Sequence, residues 1–282
     1  MKSQTAKDKT MATHKKADYV LITGGSMGIG FELARCFASA GYNLVLVSRT
    51  EKDLKSAAAE IKKEFKVEVL IIVKDLFLTQ NAFDLYDEVK ALKINPYILV
   101  NNAAQGQYGE FSDTDITREL EIINLNIASV VVLTKLFLKD MLHRRKGGIL
   151  NVSSVASRIP GPLQSVYHAT KAFVQSFTAA IRDEVKDTGI TITALLPGPT
   201  DTDFFSKADM LNAKNVVKGD LADPAKVALD GYIAFIKGVD NVVSGTMNKM
   251  EVAISSIMPE SMVAEMVHNQ QAPVNKKTKS KK

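Results

Sequence analysis

Short β-branched apolar runs alternating with amphipathic helical stretches predict an α/β fold: one doubly wound parallel sheet of about seven strands, with helices on both faces. Three observations carry this expectation. The two kinds of segment alternate strictly from residue 18 onward. Most strand candidates read as continuous apolar runs, which is what a sheet covered on both faces requires. A glycine-rich turn joins the first strand to the first helix, and no linker divides residues 17–240.

The elements follow in order. A strand is expected at 19–23, then a helix over 29–40 that places Ile29, Leu33 and Phe37 on one face and stops at Gly41. Next come a strand at 44–48 and a helix over 51–65, a strand at 69–74 and a helix over 79–93, and a strand at 98–101 followed by a long helix over 113–142. The series closes with strand 149–153, helix 165–187, strand 191–196, helix 224–237 and a weaker strand at 241–243. Beyond these, Met247, Met250, Ile254, Ile257 and Met258 form an apolar face on a terminal helix interrupted at Pro259. Packing at a pocket rim, a subunit contact or membrane-surface binding would each use such a face.

A length of 282 residues allows one large domain or two small ones, and 46% apolar with 24% charged residues is a globular composition. The net charge of +5 raises the question of a polyanionic partner. Residues 1–16 carry +4 and residues 276–282 carry +5, which leaves 17–275 at −4. A mildly acidic globule between basic tails is not a basic nucleic-acid-binding domain, and no nucleic-acid partner is expected. The tails, 1–16 and 271–282, read as flexible around one domain at 17–270. The single cysteine, Cys36, excludes an intrachain disulfide. The first apolar run is too short for a signal peptide, and the most apolar stretch, 127–138, is broken by Lys135. A cytoplasmic protein without a transmembrane segment is therefore expected. His14, His143, His168 and His268 are dispersed, and no metal site is expected.

The turn after the first strand reads Thr23, Gly24, Gly25, Ser26, Met27, Gly28, Ile29, Gly30. Glycines there let the backbone approach a pyrophosphate, and the following helix N-terminus supplies amide donors. The spacing T-G-x-x-x-G-x-G resembles the short-chain dehydrogenase/reductase family, in particular its general bacterial oxidoreductases of unassigned substrate. The resemblance covers about residues 18–240 and implies a Rossmann fold, with a cofactor half over 17–150 and a catalytic and substrate half over 151–270.

At the end of the second strand stand Ser48 and Arg49, a hydroxyl and a cation suited to a 2′-phosphate where NAD-binding folds carry an acid. NADP(H) is favoured over NAD(H), although Met27 occupies a loop position where many NADP-using relatives have a basic residue. Asp75 and Leu76 end the third strand, where the family places an aspartate against adenine. Asn101, Asn102, Ala103 and Ala104 resemble the family's N-N-A-G. Pro197, Gly198, Thr200 and Thr202 resemble the P-G-x-x-x-T that touches the nicotinamide carboxamide and phosphates.

Tyr167 and Lys171 form a Y-x-x-x-K, and spacing i, i+4 puts phenol and ammonium on one helix face, where the cation would favour phenolate. Ser154 lies 13 residues upstream at a strand end, the family's serine-to-tyrosine interval, with Ser153 the alternative hydroxyl. Asn126, with Asn124 as competitor, resembles the family's catalytic asparagine, which anchors a water relaying protons to the lysine. His168 is expected on a different face of the helix from Tyr167. The resemblance implies hydride exchange between nicotinamide and a carbonyl or alcohol substrate, with Ser154 holding the oxyanion and Tyr167 moving the proton. Apolar residues around both site segments, among them Ile159, Leu163, Phe204, Phe205, Met210 and Leu211, point to a hydrophobic substrate. A homodimer or homotetramer is expected. A cofactor-sensing regulator that performs no catalysis, an NAD(H)-dependent dehydrogenase, and an epimerase or dehydratase on the same scaffold remain as alternatives.

Overall fold

The computed structural model describes residues 18–274, so the lysine-rich segments 1–16 and 276–282 lie outside the described residues. Seven strands, β1 (Tyr19–Thr23), β2 (Asn43–Ser48), β3 (Val69–Val73), β4 (Ile98–Asn101), β5 (Gly147–Val152), β6 (Ile190–Leu196) and β7 (Asn241–Val243), form one sheet. Their order is β3-β2-β1-β4-β5-β6-β7, and every neighbouring pair is parallel.

The continuous apolar strands have a direct cause in this arrangement. Within β1, Val20 and Ile22 join one core cluster with Leu33, Phe37 and Phe235, while Leu21 joins the opposite cluster with Leu133, Phe137 and Ile181. Side chains alternate between faces, and both faces are covered, so every position is apolar. The first cluster is closed by α1 (Gly28–Ser39) and α2 (Glu51–Glu64), the second by α3 (Gln80–Ala91), α4 (Ile116–Arg144) and α5 (Ser165–Glu184). By length and composition α4 could cross a membrane, yet its Leu133, Phe137 and Met141 are fully buried against the sheet.

Short helices α6 (Phe204–Lys207) and α7 (Lys214–Val217) precede α8 (Pro224–Ile236), which Asp223 caps by accepting from Ala225 N at 2.9 Å. The stretch after β7 is two helices, α9 (Thr246–Ser255) and α10 (Glu260–Gln271), with Pro259 at the N-cap of the second. The tail boundary expected at residue 271 therefore falls inside structure. Val274 N donates to Asn212 O at 2.8 Å and Lys214 N to Ala272 O at 3.0 Å. These main-chain bonds fix 271–274 to the domain.

The strand order reverses direction between β1 and β4. Carboxyl ends of parallel strands flanking such a point open into a crevice that helices cannot fill.

Candidate active site

The crevice is a cleft of about 600 Å³ lined from all sides of that switch point: by the glycine turn, the ends of β2 to β6, α5, and residues of α9 and α10. The turn between β1 and α1 is shaped by steric need. Gly24 has φ +65°, and a Cβ on Gly30 would sit 2.2 Å from Gly24 O. Met27, at the N-cap of α1, makes no side-chain cap bond, and the first turn holds no acid, so its amides are left to face the cleft.

Asn102 fastens β4 to this turn, Nδ2 donating to Thr23 O at 3.0 Å and Gly24 O at 3.1 Å. The Thr23 hydroxyl in turn accepts from the amides of Asn102 and Ala103 at 3.0 and 3.1 Å. Asn101 faces inward, donating to Asn151 Oδ1 at 2.8 Å and Thr134 Oγ1 at 3.0 Å. Asp75 turns the chain after β3 by accepting from Phe77 N at 3.1 Å, and buried Leu76 closes the wall beside it. Ser48 Oγ is buried without a hydrogen-bond partner among the described residues, and the neighbouring Arg49 guanidinium lies 4.7 Å from the Phe77 ring centroid. Both line the cleft.

At the other wall, Ser154 and Tyr167 line the cleft together, with Ser154 buried. Ser154 Oγ also lies 3.3 Å from Pro197 O and accepts from Ala156 N at 3.1 Å. The Ser153 hydroxyl is engaged by the main chain of α5, donating to Lys171 O at 2.9 Å. Lys171 is buried, its Nζ donating to Val152 O at 2.8 Å and standing 5.9 Å from the Tyr167 ring centroid. Burial pushes the Tyr167 phenol up to about 12, although the Ser154 hydroxyl pulls the other way. Burial also brings the Lys171 ammonium down to about 7. Desolvation is the largest cause at both groups, and Nζ is engaged by a carbonyl rather than by the phenol.

Asn126 lies in a π turn, Asn124–Ala128, within α4, and is 1% exposed, whereas Asn124 is half-buried. Its Oδ1 accepts from Gln105 N at 3.0 Å, and its Nδ2 donates to Gln105 O at 2.8 Å and Thr170 Oγ1 at 2.9 Å. It therefore reaches α5 through Thr170, next to Lys171. Pro197, Gly198, Thr200 and Thr202 lead out of β6, with Thr200 Oγ1 donating to Gly198 O at 2.9 Å and Thr202 packed against Gly28.

The residues fit a dinucleotide. A cradle that Cβ atoms would fill, an uncapped helix terminus and an orphaned serine hydroxyl beside an arginine lie along one cleft.

The sequence profile of the short chain dehydrogenases matches residues 18–211. The chain belongs to this family. It is 38% identical over 189 residues to the very-long-chain 3-oxoacyl-CoA reductase of Rattus norvegicus, a match covering 64% of this chain and 58% of the relative. It is 41% identical over 191 residues to the 17-beta-hydroxysteroid dehydrogenase type 3 of Mus musculus, covering 64% and 59%. The matches thus span less than two thirds of these relatives' length. Among solved structures, a short-chain dehydrogenase from Sphingobium yanoikuyae in complex with NADPH superposes with a TM-score of 0.75 at 26% identity, covering 88% of this chain and 99% of that one. The bulky-bulky ketone specific alcohol dehydrogenase from Comamonas testosteroni gives 0.72 at 25% identity, covering 89% and 99%.

Several site residues escape sequence reasoning. His168, on the next helix position to Tyr167 with ring centroids 6.0 Å apart, also lines the cleft, its ring nitrogens held by Ile159 O and Gln271 Nε2. Lys207, on α6, brings its ammonium 3.0 Å from Met27 Sδ and 3.6 Å from Asp203, placing a cation where the turn itself lacks one. Asn248 packs directly over Gly198, and Val267, Gln270 and Gln271 close the cleft from α10.

Proposed function

We propose that this protein is an NADP(H)-dependent oxidoreductase that interconverts a hydrophobic carbonyl compound and its alcohol, with Tyr167 as general acid/base. The observation that carries this reading is that Ser154, Tyr167 and buried Lys171, the last two one helical turn apart, line the same cleft as the glycine turn. The bound dinucleotide supplies or accepts the hydride. In reduction, Tyr167 gives its proton to the carbonyl oxygen while the Ser154 hydroxyl donates to the same oxygen as charge develops. A phenol held protonated by burial suits that direction. Lys171 holds the β5 terminus through Val152, and Asn126 positions α5 through Thr170.

Residues of the turn, Asp75, Asn102, Ala103 and the segment after β6 would hold the dinucleotide. Ser48 and Arg49 put a hydroxyl and a cation at the end of β2, where an acid would repel a 2′-phosphate, and so support NADP(H). Apolar Phe204, Phe205, Met210 and Val267 in the lining support a hydrophobic substrate, in keeping with the substrates that the names of the two mammalian relatives state. The one cysteine suits a cytoplasmic setting, and exposed Ile116 and Leu120 on α4 and Phe173 on α5 support a homodimer or homotetramer. The test is NADPH oxidation by the full chain against a panel of ketones, aldehydes and 3-oxoacyl thioesters, with NADH in parallel. NADPH turnover with at least one class is expected; no turnover with either cofactor overturns the activity, and faster NADH turnover overturns the role of Arg49.

A further inference from the structure

Four of the six buried side-chain polar atoms without a hydrogen-bond partner among the described residues line this one cleft: Ser48 Oγ, Gln164 Nε2, Asn215 Oδ1 and Gln271 Oε1. Ser48 belongs to the dinucleotide end. Gln164 and Gln271 are each 5% exposed; Gln164 stands three residues before Tyr167, and Gln271 meets His168 beside it. A methyl on Gly106 would sit 3.2 Å from Gln164 Nε2, 3.4 Å from Tyr167 Cδ2 and 2.9 Å from Phe204 Cζ, so the amide nitrogen, the phenol ring and the Phe204 ring are all packed around Gly106.

The placement of both amides is built. Leu163, just before Gln164, holds φ +68°, a left-handed backbone that a branched side chain rarely adopts, and Gln164 sits at the N-cap of α5 without using its side chain as a cap. Gln271 is fixed at the end of α10, its main-chain oxygen accepting from Tyr108 Oη at 2.7 Å. His168 Nδ1 lies 3.0 Å from Ile159 O and so carries the ring hydrogen, leaving Nε2 to accept from Gln271 Nε2 at 3.3 Å. That contact orients the amide and leaves Oε1 without a donor.

We propose that Gln164 and Gln271 form a substrate subsite for an uncharged group that both accepts and donates a hydrogen bond, a hydroxyl or an N–H amide, on the same molecule as the reacting carbonyl. The proposal rests on the oxidoreductase reading. Gln164 Nε2 donates to the group and Gln271 Oε1 accepts from it. A carboxylate is disfavoured because the cations of the cleft are engaged elsewhere: Lys171 on Val152, Lys207 on Asp203, Lys74 on Glu88 and Arg49 over Phe77. A site with unsatisfied buried polar atoms rejects an analogue that lacks the matching group, since the atoms then stay unpaired.

The experiment compares kcat/KM of the full chain for hydroxyketones, with the hydroxyl two to four carbons from the carbonyl, against their deoxy counterparts. A second arm compares N-methyl 3-oxoamides with N,N-dimethyl 3-oxoamides. Gln164→Met and Gln271→Met, near in volume to glutamine, are measured beside the wild type with their thermal midpoints. The wild type is expected to prefer the hydroxyl or N–H member of at least one pair by about tenfold or more, and either variant to bring that ratio near one while turnover of the deoxy or dimethyl member holds. Gln164→Met removes an unpaired buried donor, so its midpoint holds or rises. A wild-type ratio near one in every pair, variants that keep the ratio, or variants that lose both members equally with a falling midpoint each overturn the subsite while the oxidoreductase reading stands. Failure of the wild type to reduce any carbonyl overturns both.

Discussion

The ammonium of Lys171 stands 5.9 Å from the ring centroid of Tyr167 and is committed to the Val152 carbonyl at 2.8 Å. One helix face thus holds a buried phenol and a buried amine, and burial drives each toward its neutral form.

Replacing Lys171 with Met is expected to lower turnover about 100-fold or more while leaving stability at pH 7 equal or higher, because a buried cation gives way to an apolar side chain. The pH dependence has a definite sign. Burial brings the Lys171 value down to about 7, below its value in the unfolded chain, so between pH 7 and about 10 the unfolded state binds the extra proton. Wild-type stability relative to Lys171→Met therefore rises with pH across that window. Denaturant midpoints of both proteins at pH 6, 7, 8 and 9 check this, and a difference that falls or stays flat contradicts it.

Among the described residues, Asn126 is the sole side chain bonded to both main-chain groups of Gln105. Asn126→Leu strands that buried N–H and C=O and frees Thr170, at an expected cost of about 1–3 kcal/mol in urea unfolding. A loss of activity without any loss of stability would instead assign Asn126 a direct chemical role.

Arg49→Asp places a carboxylate beside the Ser48 hydroxyl, where a 2′-phosphate would be repelled. The KM for NADPH should rise about tenfold or more and that for NADH should stay or fall, measured by steady-state rates with one saturating carbonyl substrate. Equal rises for both cofactors would mean that Arg49 acts through its contact with Phe77 alone.

Gly30→Ala drives a methyl to 2.2 Å from the main-chain oxygen of Gly24, and neither is the end of a flexible side chain. The turn must shift, so dinucleotide binding followed by calorimetry or fluorescence should be lost even where the protein still folds. Retained affinity within a few-fold would refute the close-packed turn as the cradle.

The sheet and the residues that line the candidate site were legible because their signals are local or regularly spaced. Apolar runs such as those around Leu21 and Leu99 mark strands, and the order from Gly24 through Asn126, Ser154, Tyr167 and Lys171 fixes the wall residues. What was not legible depends on contacts between distant segments. The break in α4 at Asn124–Ala128 leaves helical periodicity intact and shows only in the bonds of Asn126. Lys207 meets Met27, and Gln271 meets His168, across separations that no spacing rule spans. The tail boundary was misplaced for the same reason: polar Gln271 and the residues up to Val274 are held by Tyr108, Asn212 and Lys214, not by an apolar pattern of their own.

The central claim is that Tyr167 moves the proton while the rest of the cleft binds. Measurement of NADPH affinity and of NADPH oxidation by Tyr167→Phe, side by side with wild type on one carbonyl substrate, tests it most directly. Affinity within about threefold of wild type with turnover reduced about 100-fold or more is the predicted result. A variant that keeps most of its turnover would contradict the assignment.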